Sequence, residues 1–164
     1  MINESEIKDT WSQIVKDFGK VDVLVTAAGI VDNVEAENYD FKRWRKMMDI
    51  NVDGTWLFAR EAGKHMIQTQ IKGSITLVAS MSAISATICV RPQKQAAYNA
   101  SKGAVKMLMK SLNTEWAPYG IRVNAISPGY MYTDFIKGLL EREGKEKADN
   151  WIKDIPMGMN LPLK

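Results

Sequence analysis

The chain has 164 residues, 46% of them hydrophobic and 25% charged, with 22 Lys and Arg against 19 Asp and Glu and a net charge of +3. That balance lets one small unit bury a core, and it excludes wholesale disorder. With Cys89 the only cysteine and His65 the only histidine, an internal disulfide and a Cys/His zinc cluster are both excluded, and a reducing, cytoplasmic setting is the default.

The longest apolar run, Trp56 to Ala59, falls far short of a membrane span, and Met1-Ile2-Asn3-Glu4 lacks the basic-then-apolar order of a signal peptide. Residues 1–82 carry ten basic and twelve acidic groups, and residues 83–164 carry twelve and seven. Lysines alternate with acids, as in Glu141 to Lys147, which is the pattern of a solvated helix surface and not of a nucleic-acid-binding face.

In chain order, Asn3 is placed to cap a helix through about Phe18, with Ile7, Trp11, Ile14, Val15 and Phe18 at helical spacing and Gly19 as its stop. Val21 to Thr26 is short, β-branched and apolar at nearly every position, which predicts a strand covered on both faces by helices. From Phe41 to about Gln68 the pattern is helical, and Asn51-Val52-Asp53-Gly54 predicts an interruption within it. Gly73 to Ala79 reads as a second buried strand, and Ser80 to Gln95, with its serines and Pro92, as a loop.

Tyr98, Lys102, Val105, Leu108, Met109, Leu112 and Trp116 then mark a long helix that Pro118 and Gly120 end, and Ile121 to Ile126 gives a third strand. Weaker helical patterns follow at Thr133–Glu143 and Lys147–Lys153. Strand and helix alternate with crossovers long enough for parallel pairing, so one α/β doubly wound domain over residues 1–164 is predicted. Three strands make a narrow sheet for such a fold, which points to a larger one.

Tyr98 and Lys102 stand four residues apart, hence one turn apart on one helix face. A phenol titrates near 10 when unperturbed, and an adjacent cation favours the phenolate, which is a physical reason to pair the two for proton transfer. Ala27-Ala28-Gly29, Ser80 and Pro128-Gly129 fall at the C-terminal ends of the three predicted strands, the edge where ligands sit in open α/β sheets. At the helix interruption, a freed carbonyl and the side-chain amide of Asn51 are both expected to face that crevice.

Taken in order, Thr26-Ala27-Ala28-Gly29, Asn51, Gly73-Ser74-Ile75 leading to Ser80, Tyr98 to Lys102, and Arg122 to Gly129 resemble the later signatures of the short-chain dehydrogenase/reductase family. The resemblance covers about Lys20 to Thr133 and implies a Rossmann-type sheet that binds NAD or NADP. It implies that Tyr98 is the general acid/base, that Lys102 favours the Tyr98 phenolate and hydrogen-bonds the nicotinamide ribose, that Ser80 orients the substrate oxygen, and that Asn51 holds a water on the proton path. Ala28 and Gly29 would approach the adenosine side of the cofactor, and Pro128, Gly129 and Thr133 would border the nicotinamide carboxamide and phosphates. The plainer alternatives are a helix cap for Asn51 and a simple turn for Pro128-Gly129.

This chain departs from the family pattern in three ways. Thr26 and Ala27 replace amide side chains, and Ser80 precedes Tyr98 by an unusually long gap, which leaves Ser82 and Ser85 as rivals. There is also no G-x-x-x-G-x-G or G-x-G-x-x-G turn, so the sheet is expected to be incomplete, without the family's first strands, their glycine-rich loop and the last strand. A chain without that loop is expected to be inactive by itself.

Ala79 to Ser82, Arg91 to Gln95 and Trp151 to Met157 look most like the fungal sugar-alcohol enzymes, the D-arabinitol 2-dehydrogenases and the sorbose, xylulose and mannitol reductases. The substrate implied is a polyol or ketose, in a family homodimer or homotetramer. The alternative is a non-catalytic helical interaction remnant built on the apolar stripes of Val52–Met66 and Val105–Trp116.

Overall fold

A computed structural model of the chain describes residues 2–84, 94–129, 131–132 and 161–162. Helix α1 (Glu4–Phe18) starts where the Asn3 side chain accepts from the Ser5 N–H at 3.0 Å. It ends where Gly19, at φ 78°, donates its N–H to the Val15 carbonyl, a left-handed turn that favours glycine. Strand β1 (Val23–Thr26) follows.

Helix α2 (Phe41–Met48), capped by Asp40, runs into a π-helical turn over Asp49–Asp53 and then into α3 (Gly54–Gln68). The interruption expected at Asn51–Gly54 is therefore a widened turn within a continuous helical path, of the kind often found at functional sites.

Strand β2 (Ser74–Val78) leads to a short 3-10 turn at Met81–Ala83. The loop predicted from Ser80 thus begins with an ordered turn, and residues 85–93 lie outside the described residues. Helix α4 (Ala96–Trp116) closes through a 3-10 turn and Gly120, at φ 74°, into β3 (Arg122–Ile126). A two-residue strand β4 (Met131–Tyr132) pairs in parallel with β5 (Leu161–Pro162), which the sequence did not signal. The helices predicted at 133–143 and 147–153 lie outside the described residues.

Strands β1, β2 and β3 pair in that order and all in parallel. The register puts Leu24, Ile75 and Val123 in one row and Thr26, Leu77 and Ala125 in the next. This face meets Trp11 of α1, Ala59, Ala62 and Met66 of α3, and Val105 and Leu112 of α4, and together they form the core. Helices α3 and α4 approach closely at Gly63, where a Cβ would stand 2.5 Å from Cη2 of Trp116.

The opposite face corrects the expectation for β1. Val23 and Val25 are 61% and 55% exposed, and Ile126 is 50% exposed, so among the described residues helices cover one face of the sheet. Apolar residues at every strand position record a preference for burial on both faces, and the preference alone supplies no second layer.

Candidate functional site

The parallel sheet brings Ala27–Gly29, Ala79–Ser80 and Ser127–Gly129 to one edge. Two backbone bonds join the last two segments: Ala79 N–H donates to the Ile126 carbonyl at 2.9 Å, and Met81 N–H to the Pro128 carbonyl at 3.1 Å. Pro128-Gly129 is therefore held beside the turn that follows Ser80.

Helix α4 carries Lys102 into this edge. Its side chain is buried, the residue being 5% exposed, and Nζ donates to the Val78 carbonyl at 2.8 Å and sits 5.8 Å from the centre of the Tyr98 ring. Burial lowers the Lys102 pKa below the usual amine range, because a desolvated ammonium is disfavoured. A Cβ placed on Gly29 would lie 3.3 Å from Asn51 Oδ1 and 3.4 Å from Lys102 Nζ. Gly29, Asn51 and Lys102 therefore converge on one point, and only the absence of a side chain at residue 29 leaves space there.

Asn51 is fully buried in the π-helical turn. Its Oδ1 accepts from Ile30 N–H at 2.8 Å, and its Nδ2 donates to the Ile30 carbonyl at 2.9 Å and to Ser101 Oγ at 3.0 Å. The Asn51 carbonyl accepts from Thr55 Oγ1 at 2.9 Å. The expectation that the amide faces the crevice is thus corrected: the wide turn buries it as a clamp between the β1 exit loop and α4.

Ser80 is buried, and its Oγ accepts from Ser82 N–H at 3.1 Å, capping the 3-10 turn. Among the described residues no acceptor takes the Ser80 hydroxyl proton. Ala28 lines a groove of about 600 Å³ between α1, the open edge of β1 and α3, together with Ile7, Trp11, Val25, Thr26 and Phe58. Thr133 and Ser85 lie outside the described residues.

Sequence reasoning assigned no role to Ser101, Thr55 or the Val78 carbonyl. Ser101 lies inside the quoted Tyr98–Lys102 string, but only the folded register shows what its hydroxyl meets. Among the described residues no group of three or more His, Cys, Asp or Glu is placed to hold a metal, and no helix is long and apolar enough to cross a membrane.

The donor set suits a nicotinamide nucleotide. Lys102 spends one N–H on Val78 and retains two for a ribose diol beside the Tyr98 phenol, and the bare Gly29 backbone admits close approach.

Comparison with known proteins agrees with this chemistry. The family model described as short chain dehydrogenase matches residues 1–144. The NADH-dependent L-xylulose reductase of Ambrosiozyma monospora is 39% identical over 159 residues, covering 94% of this chain and 57% of that protein. The ribulose-forming D-arabinitol 2-dehydrogenase of Scheffersomyces stipitis is 37% identical over 158 residues, covering 95% of this chain and 55% of that protein. The crystal structure of an NAD⁺-bound xylitol dehydrogenase aligns with a TM-score of 0.87 at 31% identity, covering 98% of this chain and 64% of that one. The chain thus spans a little over half the length of the curated relatives it matches.

Proposed function

Because the chain belongs to the short-chain dehydrogenase family, we propose that its Tyr98–Lys102 site serves an oxidoreductase acting between a secondary alcohol and its ketone with NAD or NADP. The observation that carries this reading is the convergence of Lys102 Nζ, Asn51 and Gly29 beside the Tyr98 ring at the carboxyl end of a parallel sheet. The names of the relatives favour a polyol such as D-arabinitol, or its ketose, as substrate. A cytoplasmic setting and a homodimer or homotetramer belong to the same proposal, as does a single domain spanning residues 1–164.

When bound, the nicotinamide supplies or accepts the hydride. The chain's own residues handle the proton. In the oxidative direction the Tyr98 phenolate takes the proton from the substrate hydroxyl, and in the reductive direction the phenol returns it to the carbonyl oxygen. Lys102, with Nζ 5.8 Å from the centre of the Tyr98 ring, would donate to the ribose and hold it beside the phenol.

Ser80 donates its remaining proton to the substrate oxygen. It is favoured over Ser82 and Ser85 because it lies just past the end of strand β2. Asn51 acts through its backbone carbonyl, which would hold a water on the path to Lys102, while Ala28, Gly29, Pro128, Gly129 and Thr133 would border the cofactor.

Residues 1–164 contain no glycine-rich turn of the dinucleotide-binding type. Such a turn anchors the pyrophosphate at a helix N-terminus, and without that anchor both binding energy and orientation are lost. Residues 1–164 by themselves are therefore inactive.

The test compares the 164-residue chain with the same chain joined behind a glycine-rich dinucleotide-binding segment. NAD(P)H fluorescence titration and turnover of D-arabinitol, xylitol and sorbitol are measured for each. The joined protein is expected to bind cofactor and reduce it with a polyol, and the short chain to do neither. Cofactor binding by the joined protein without turnover of any polyol or ketose would defeat the substrate assignment.

A further inference from the structure

We propose that Ser101 is a positioning residue of this site, its buried hydroxyl locking the first turns of α4 to the π-helical turn and, through it, to the loop that leaves β1. Ser101 is fully buried. Its Oγ donates to the Tyr98 carbonyl at 2.7 Å and accepts from Asn51 Nδ2 at 3.0 Å. A serine inside a helix commonly turns its hydroxyl to a carbonyl one turn back, and that alone would be a local bond without consequence.

Here the same oxygen also receives the amide that clamps both backbone groups of Ile30. One hydroxyl therefore completes a chain from Ile30 through Asn51 to the backbone of Tyr98. Gly29 and Lys102 flank the two ends of that chain, and Asn51 Oδ1 and Lys102 Nζ lie against the same point above Gly29.

Loss of the hydroxyl leaves one Asn51 Nδ2 proton with only the thioether of Met47, a weak acceptor 3.1 Å away, in a site closed to solvent, a costly state for a buried donor. The amide then turns or loosens, and the registry between the β1 exit loop and α4 loosens with it. Lys102 holds its place by a bond to the Val78 carbonyl, and among the described residues no carboxylate pairs with it. It faces the Tyr98 ring, the Asn51 carboxamide and the Gly29 backbone. Its desolvation therefore depends on how tightly these segments close.

The proposal rests on the assignment of Tyr98 and Lys102 made above. It is tested without cofactor or turnover, so its failure and the failure of that assignment are separable. In the 164-residue chain, Ser101→Ala and Ser101→Cys are compared with the parent by amide hydrogen exchange and by NMR titration of the Lys102 side chain. Cysteine fills nearly the same space but is a weak donor and acceptor, so it separates the bond from the volume and provides a second variant where alanine fails to fold.

Both variants are expected to speed exchange of the Ile30 amide by about tenfold, the loss of roughly one hydrogen bond's net worth. Both are expected to move the Lys102 midpoint upward, toward the ordinary amine range. Two results would overturn the proposal: Ser101→Cys matching the parent in both readouts, or variants that unfold at lower temperature while the Lys102 midpoint stays where it was.

Discussion

Lys102 Nζ donates to the carbonyl of Val78 across 2.8 Å, so the one buried ammonium among the described residues is held at the last residue of the central strand. Its pKa is lowered by burial, and the sign of the consequence follows. Between the lowered folded value and the ordinary unfolded one, the unfolded chain binds more protons, so stability rises with pH through that window. Below it the full cost of burying the charge is present. Lys102→Met is therefore expected to leave the fold unharmed or to stabilise it by about 1 kcal/mol near neutral pH, with the advantage shrinking as the solution becomes alkaline. Urea unfolding at several pH values checks this, and a loss of stability at neutral pH would show that the bond to Val78 outweighs desolvation.

Gly63→Ala sets two effects against each other. Alanine in a helix interior is worth about 1 kcal/mol over glycine, but the new Cβ would stand 2.5 Å from the Trp116 ring, and overpacking costs about 1–3 kcal/mol. The clash is expected to win, because a ring edge cannot bend away as the end of a flexible chain does. In a Trp116→Leu background the same substitution should become neutral or stabilising, and thermal unfolding of the four proteins measures that coupling.

Glu4 joins α1 to α3. Its carboxylate meets Lys8 at 2.9 Å and Arg60 at 2.7 Å, and its pKa falls from the usual 4.5 to about 2, first through the Lys8 hydrogen bond and then through that of Arg60. A depressed acid stabilises above its unfolded value, and the contribution is lost as pH falls toward the folded one. Glu4→Gln is expected to lower the melting temperature slightly at neutral pH and to make no difference near pH 2, with high salt reducing the neutral-pH effect.

In β1, an edge strand among the described residues, Val23 and Val25 stand exposed on the uncovered face of the sheet. Unpaired β-branched edges template association, and a charge on the edge opposes it. Val25→Lys is expected to shift the 164-residue chain toward smaller species in dilute-solution sizing at unchanged helix content. An unchanged size distribution would show that this strand drives no association.

Local signals were legible where the chemistry is local. The Asn3 cap, the Gly19 and Gly120 stops, the Tyr98–Trp116 stripe and the weak point at Asn51–Gly54 all depend on residues within a turn or two of one another. The apolar stripes of α3 and α4 are buried against the chain's own sheet at Ala59, Ala62, Val105 and Leu112.

Less legible were features whose partners lie far along the chain. The Asn51 clamp spans 21 residues to Ile30 and 50 to Ser101, and spacing in sequence carries no trace of either. Coverage of one sheet face was equally hidden, because Val23 and Leu24 are similar residues with opposite surroundings. Tyr98 and Lys102 could be paired from helical spacing, but the Val78 carbonyl that holds the ammonium is visible only once β2 and α4 are packed.

Tyr98→Phe, in the chain joined behind a glycine-rich dinucleotide-binding segment, tests most directly whether Tyr98 moves the proton. Removal of the phenolic oxygen leaves the ring and the Lys102 bond to the Val78 carbonyl. The expected result is a fall in kcat of roughly 10²–10⁴-fold with polyol or ketose, at nearly unchanged NAD(P)H affinity by fluorescence titration. Turnover close to that of the unsubstituted joined protein, with cofactor bound, would contradict the account.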